Sequence, residues 1–248
     1  MSEQCAVLRR IQSDLSLIFK WSVIALSLFL IGAPAQAAVY VTSGIMYTEW
    51  DDTAGSSELA VPVRVRKTGS NYSVSAGSYW LEADEYSGVG DLMVAASLYD
   101  IFYAPSVNIG MNLQGSIKFP TASDDIGTGE FDQQVGFSLY HLRDNVTWYG
   151  SGDYRFNGDN NDFEYPDTLL LSFGFIARPK ENISLGIFYD IEQDQSVSSS
   201  VDTQLFLFVG AKLTKLITLR PFTSISLSSS DTSEFSAGVF IDVQMSSQ

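Results

Sequence analysis

Apolar and polar residues alternate along most of this chain, and the clearest run is 106–119, SVNIGMNLQGSIKF. Val107, Ile109, Met111, Leu113, Ile117 and Phe119 share one parity. Ser106, Asn108, Asn112, Gln114, Ser116 and Lys118 share the other, and only Gly115 interrupts the apolar row. A period of two predicts a β-strand with one apolar and one polar face. Strands in soluble sheets run to about 5–6 residues, whereas a tilted strand needs about 9–11 to cross the hydrocarbon of a bilayer. The length of this run therefore points to a membrane-crossing strand.

The same alternation predicts twelve strands, over 39–48, 61–66, 72–80, 92–99, 106–119, 134–140, 146–156, 169–178, 183–192, 205–213, 217–227 and 235–243. Short turns follow the even-numbered strands and longer loops follow the odd-numbered ones. An even strand count with short turns at one end and long loops at the other is the pattern of bacterial outer-membrane barrels. The fold expected is therefore all-β, a transmembrane antiparallel barrel of twelve strands, with short periplasmic turns and longer acidic extracellular loops.

The first 37 residues stand apart. Arg9, Arg10 and Lys20 precede or border the apolar run Trp21–Ile31, and Ala35-Gln36-Ala37 is a small-x-small site, so 1–37 reads as a cleaved signal peptide and 38–248 as the barrel domain. No other stretch is apolar for 18 residues, so no helical span is predicted. The lone cysteine, Cys5, lies in the leader, and an exported chain without disulfides needs another source of stability, which a closed strand ladder supplies. Removing the leader's Glu3, Asp14 and three basic residues takes 29 acidic and 14 basic residues to 27 and 11, a net charge of −16. That acidity excludes nucleic acid as an expected partner.

Charge also sorts by the strand map. Lys67, Arg143, Lys180 and Lys215 fall in the short turns, and the other seven mature basic residues fall on the polar parity. None lies on the apolar face, where a charge near the bilayer midplane would cost about 2–4 kcal/mol.

The polar parity defines a lumen wider than that of an eight-stranded barrel. Its candidate selectivity residues are Arg64, Arg66, Lys118, Asp153, Arg155, Arg178, Asp190, Glu192, Lys212 and Arg220, with Asp242 nearby. Confined charges must stay hydrated or pair, so two uses are open: a salt-bridged filling, or a lining that orients a passing solute. Tyr99, Tyr140, Tyr149, Phe206, Phe208, Phe222 and Phe240 share this lining, either as filling or as a slide for a hydrophobic solute. The loop acids, such as Asp51-Asp52, Asp84-Glu85, Asp124-Asp125 and Asp159–Glu164, read as solvated faces, since none has the spacing of a calcium loop.

A membrane-embedded lipid enzyme would need a base beside its nucleophile. The only histidine is His141, placed beside a short turn and away from the loop-rich rim. No cofactor, metal ligand set or phosphate-cradling loop is predicted, and the chain is read as a non-enzyme. A non-conducting structural or surface-interaction barrel is the first alternative to a channel, and the lipid enzyme the second.

The segments Gly88-Val89-Gly90-Asp91-Leu92, Ile117-Lys118-Phe119-Pro120-Thr121 and Ile126-Gly127-Thr128-Gly129, with Asp132, resemble the outer-membrane barrels of the MetA-pathway of phenol degradation family. The strand order from Val39 to Val243 is similar to that family's. The loop after Lys-Phe-Pro-Thr departs from its pattern in lacking a glycine, and five residues follow Val243. The resemblance implies an outer-membrane transporter for a small hydrophobic or aromatic solute. Membrane lipids, lipopolysaccharide and the barrel-assembly machinery are then its expected partners.

Overall fold

A computed structural model of the protein describes residues 37–246, apart from 51–55, 84–85, 123–125, 128, 159–164, 196–200 and 229–233. The predicted leader, except for its last position, lies outside the described residues. So do Asp51-Asp52, Asp84-Glu85, Asp124-Asp125 and the acids of 159–164.

Alternating sequence becomes strand almost everywhere it occurs. The strands are β1 (Ala38–Trp50), β2 (Ser57–Thr68), β3 (Tyr72–Ala83), β4 (Ser87–Val89), β5 (Leu92–Ala104), β6 (Ile109–Phe119) and β7 (Asp132–Arg143). They continue with β8 (Val146–Phe156), β9 (Thr168–Lys180), β10 (Ile183–Asp194), β11 (Val201–Lys212), β12 (Ile217–Ser226) and β13 (Glu234–Ser246). Each pairs antiparallel with its neighbours, and β1 closes the ring on β13, with Gly44 opposite Phe240. The thirteen segments fill twelve wall positions, because β4 and β5 both pair with β3 and form one interrupted strand. Among the described residues the full-length strands close on one another, as a chain crossing lipid requires, and only the three-residue β4 pairs on one side alone.

The apolar parity faces outward. Leu113, Val135, Phe137 and Phe173 are between 43% and 53% exposed. Half-exposed large apolar residues in a regular row are what a lipid-facing wall shows and what a soluble core does not.

Several boundaries differ from the sequence expectation. β2 begins at Ser57 and β11 at Val201, each four residues early. Lys67, Arg143 and Lys180 lie at or next to the ends of strands instead of in the turns. The largest differences surround β5 and β6. The strand predicted at 106–119 begins at Ile109, and residues 105–108 are the turn that leads into it. Residues 100–104, predicted as a turn, belong to β5, with Phe102 opposite Met111 and Ala104 opposite Ile109. Pro105 has no N–H to give a ladder, and Asn108 takes a left-handed φ of 52° that asparagine tolerates. β5 accommodates its extra length by a bulge between Leu98 and Phe102, with Asp100 at φ 53°. The loop predicted at 82–90 also contains the short strand β4.

Strand stagger gives the barrel a spiral. One row of directly opposed residues runs Gly110, Tyr140, Tyr149, Gly174, Phe188, Phe206, Ser224, Ser236, Thr48, Glu58. It starts at the short-turn end of β6 and finishes at the long-loop end of β2. A row perpendicular to tilted strands must climb the axis in this way.

Candidate functional site: the lumen

Two bonds that skip a strand identify the concave face. Gln114 Nε2 on β6 donates to Asp153 Oδ1 on β8 at 2.7 Å, passing over β7. Gly136 lies beneath it, where a Cβ would collide with the Asp153 carboxylate. Arg155 Nη1 on β8 donates to Glu192 Oε1 on β10 at 3.2 Å, passing over β9. Side chains two strands apart meet in this way only on the inside of a curved wall. The ladder pairings extend that parity around the barrel.

All ten candidate residues share the inward parity, and they divide by height. Lys118, Asp153, Arg155, Asp190 and Glu192 stand toward the long-loop ends of their strands. Arg64, Arg66, Arg178, Lys212 and Arg220 stand toward the short-turn ends. In the lower group, Arg220 pairs with Asp242, which also accepts a hydrogen bond from Thr42 Oγ1 at 2.5 Å. The Arg66 guanidinium lies 5.1 Å above the Tyr40 ring, and Arg178 Nη1 donates to Thr147 Oγ1 at 3.1 Å. These ten do not converge on one point. They line two levels of the lumen.

Lys118 has a separate role. Its ammonium sits 2.5 Å from Asp132 and 3.8 Å from Asp91. Asp91, 6% exposed, accepts the backbone N–H groups of Thr121 and Ala122 at 2.9 Å each. In return Thr121 Oγ1 accepts the N–H of Leu92 at 2.8 Å. The first two segments that carry the family resemblance therefore meet Asp132 at the long-loop rim, with Gly127 beside Asp91 and Ala122, and they tie β5, β6 and β7 together. Spacing alone could not pair them, because the contact depends on the β5–β6–β7 register.

The aromatic lining is continuous. Phe222 and Phe240 stack with centroids 4.6 Å apart and planes 8° from parallel. Phe206 meets Phe222 at 5.5 Å and Phe208 at 6.1 Å. Phe188 stacks near Phe208 at 6.4 Å, and Tyr149 reaches Phe188 at 6.2 Å. The rings form an arc over half of the twelve wall positions, from β8 to β13. Arg220 lies 5.7 Å from the Phe208 centroid, close enough for a cation–π contact. Glycines make room for the arc: a Cβ on Gly186 would collide with the Phe208 ring, and one on Gly174 with the Phe188 ring. All of these rings but Phe188 are among the lining aromatic residues expected from the sequence, and their contiguity appears only once the register is known.

Above the arc, toward the long loops, is a cavity of about 670 Å³ lined by Trp50, Gln134, Asp153, Asp190, Glu192 and Asp202 among others. His141 shares the outward parity of Leu139 and stands opposite Ile109 and Trp148, on the lipid side of the wall. Among the described residues, no group of three or more His, Cys, Asp or Glu side chains could hold a metal ion.

Comparison with known proteins agrees with this architecture. Solved structures of similar fold include an outer membrane channel from Pseudomonas putida F1, at TM-score 0.70 and 13% identity, covering 86% of this chain and 97% of that one. The NanC porin aligns at TM-score 0.62 and 10% identity over 84% of this chain and all of its own. The KdgM porin, solved in complex with disordered oligogalacturonate, aligns at TM-score 0.54 and 11% identity, covering 80% and 97%. No curated protein matches the chain in sequence. The family model described as "Putative MetA-pathway of phenol degradation" matches residues 32–239. With that model spanning most of the chain and the motif residues joined at one rim of a twelve-stranded barrel, the protein belongs to the phenol-degradation MetA family of outer-membrane-type β-barrels.

Proposed function

We propose that the protein is an outer-membrane channel that passes small solutes bearing an apolar or aromatic face. Lipid and lipopolysaccharide surround it, and the barrel-assembly machinery inserts it. The observation that carries this reading is the unbroken arc of rings from Tyr149 to Phe240. A solute ring stacked on one of these rings gains about 0.5–1.5 kcal/mol beyond area burial. Repeated weak sites of that kind favour entry without trapping, which conduction needs. Arg64, Arg66, Arg178, Lys212 and Arg220 below the arc, with Asp153, Asp190 and Glu192 above it, then set the charge preference of the path.

The test is single-channel current through the refolded mature barrel in a planar bilayer, with phenol, benzoate or glucose added. Stable steps blocked by the ring compounds but not by glucose are expected. Equal block by glucose would remove the role given to the rings. A second reading, a non-conducting barrel filled by its own charges, draws on the Lys118 and Arg155 ion pairs. It predicts a folded barrel that carries no current.

A further inference from the structure

We infer that the lumen is a bipolar pore, acidic in its long-loop half and basic in its short-turn half, and that it conducts ions better in one direction. This inference rests on the channel reading but not on the identity of the solute.

The division is clearest on β10, β11 and β12. The upper cations Lys118 and Arg155 are each paired with carboxylates, and Asp100 and Asp242 are acids of the lower half. On β10, Asp190 and Glu192 stand above Phe188. On β11, Asp202 stands above Phe206 and Phe208, and Lys212 stands below them. On β12, Arg220 lies below Phe222. Every titratable side chain lining the 670 Å³ cavity is a carboxylate: Asp153, Asp190, Glu192 and Asp202. One of them, Glu192, is met by Arg155 at 3.2 Å. The lower half holds the five cations Arg64, Arg66, Arg178, Lys212 and Arg220, and Asp242 pairs with the last of them. The aromatic arc lies between the two zones.

Charged walls in a confined, low-dielectric passage concentrate their counter-ions. The acidic half fills with cations and the basic half with anions. When the long-loop side is positive, the field drives both populations toward the junction, where carriers accumulate. When it is negative, both are drawn away from the junction, which is depleted. Current is therefore larger with the long-loop side positive. An uncharged solute meets neither barrier.

The experiment is the current–voltage curve of single channels in symmetric salt. Orientation is read from a Ser228→Cys variant, at the long-loop end of a mature chain with no other cysteine, using a bulky impermeant thiol reagent on one side. At roughly 0.01 M salt, where the Debye length is about 30 Å, the currents at opposite voltages should differ by about twofold or more. At 1 M, where it is about 3 Å, the ratio should approach one. The double variant Arg64→Gln/Arg66→Gln and, independently, Asp190→Asn/Asp202→Asn should each bring the low-salt ratio toward one while conduction persists. A symmetric curve from the conducting wild type at low salt overturns the inference, as does asymmetry of the opposite sense or asymmetry unchanged in both double variants. A folded but silent barrel overturns this inference and the channel reading together, whereas a symmetric conducting pore removes only this inference.

Discussion

A ring laid over a glycine is the smallest unit of this lumen. Phe208 occupies the space that a Cβ of Gly186 would fill, so a methyl there must push the ring from its place between Phe188 and Phe206. Overpacking of this kind costs about 1–3 kcal/mol. Gly186→Ala should therefore lower the urea midpoint of the folded barrel, followed by its heat-modifiable gel mobility, and an unchanged midpoint would mean that the wall yields without strain. Asp91 is the other residue on which much depends. Asp91→Ala leaves two backbone N–H groups without their acceptor and Lys118 without one of its two carboxylates. At about 1–3 kcal/mol for a lost buried acceptor, it should destabilise the barrel while leaving block by ring compounds intact. Loss of block without loss of stability would move the motif from the rim's structure to its function. At this scale the sequence revealed which face each residue occupies, because parity is local. It concealed which residues touch, because Asp91 and Thr121 meet through strand pairing 30 positions apart.

Among the strands, alternation located all twelve wall positions and most of their ends. A departure falls on the run that looked clearest. Val107 shares the parity of Ile109 and Met111, so the pattern continues through a turn that the backbone cannot continue through. A polar–apolar pattern records side-chain preference, whereas Pro105 and the left-handed Asn108 record backbone geometry, and here geometry decided the boundary. Cysteine labelling separates the two assignments. In a bilayer, Val107→Cys should react with a water-soluble thiol reagent, since it lies in the short turn, and Leu113→Cys should be protected by lipid. Equal protection would return 106–108 to the strand. The bulge in β5 was not legible for a related reason: Leu98 to Phe102 spans four residues against two on β6, and only the partner strand reveals the mismatch.

At the level of the whole molecule, closure and stagger create what no strand has alone. The row from Gly110 to Glu58 climbs from one end of the barrel to the other. Aromatic residues scattered over sequence positions 149 to 240 thereby become one arc, between a carboxylate-lined mouth and a cationic lower half. Composition and parity made the barrel and its inward charges legible. The order of those charges along the axis needed the register of every strand pair. In the function proposed for this barrel, the rings are the surface a solute touches on its way through. That contact is tested most directly by the phenol dependence of single-channel block in the wild type and in the Phe222→Ala/Phe240→Ala variant, the pair with the closest stacking. Losing two stacking surfaces at about 0.5–1.5 kcal/mol each should raise the half-blocking concentration about tenfold, with the open-channel current retained. A half-blocking concentration unchanged in a conducting variant would show that solutes pass without touching the arc, and would contradict the account.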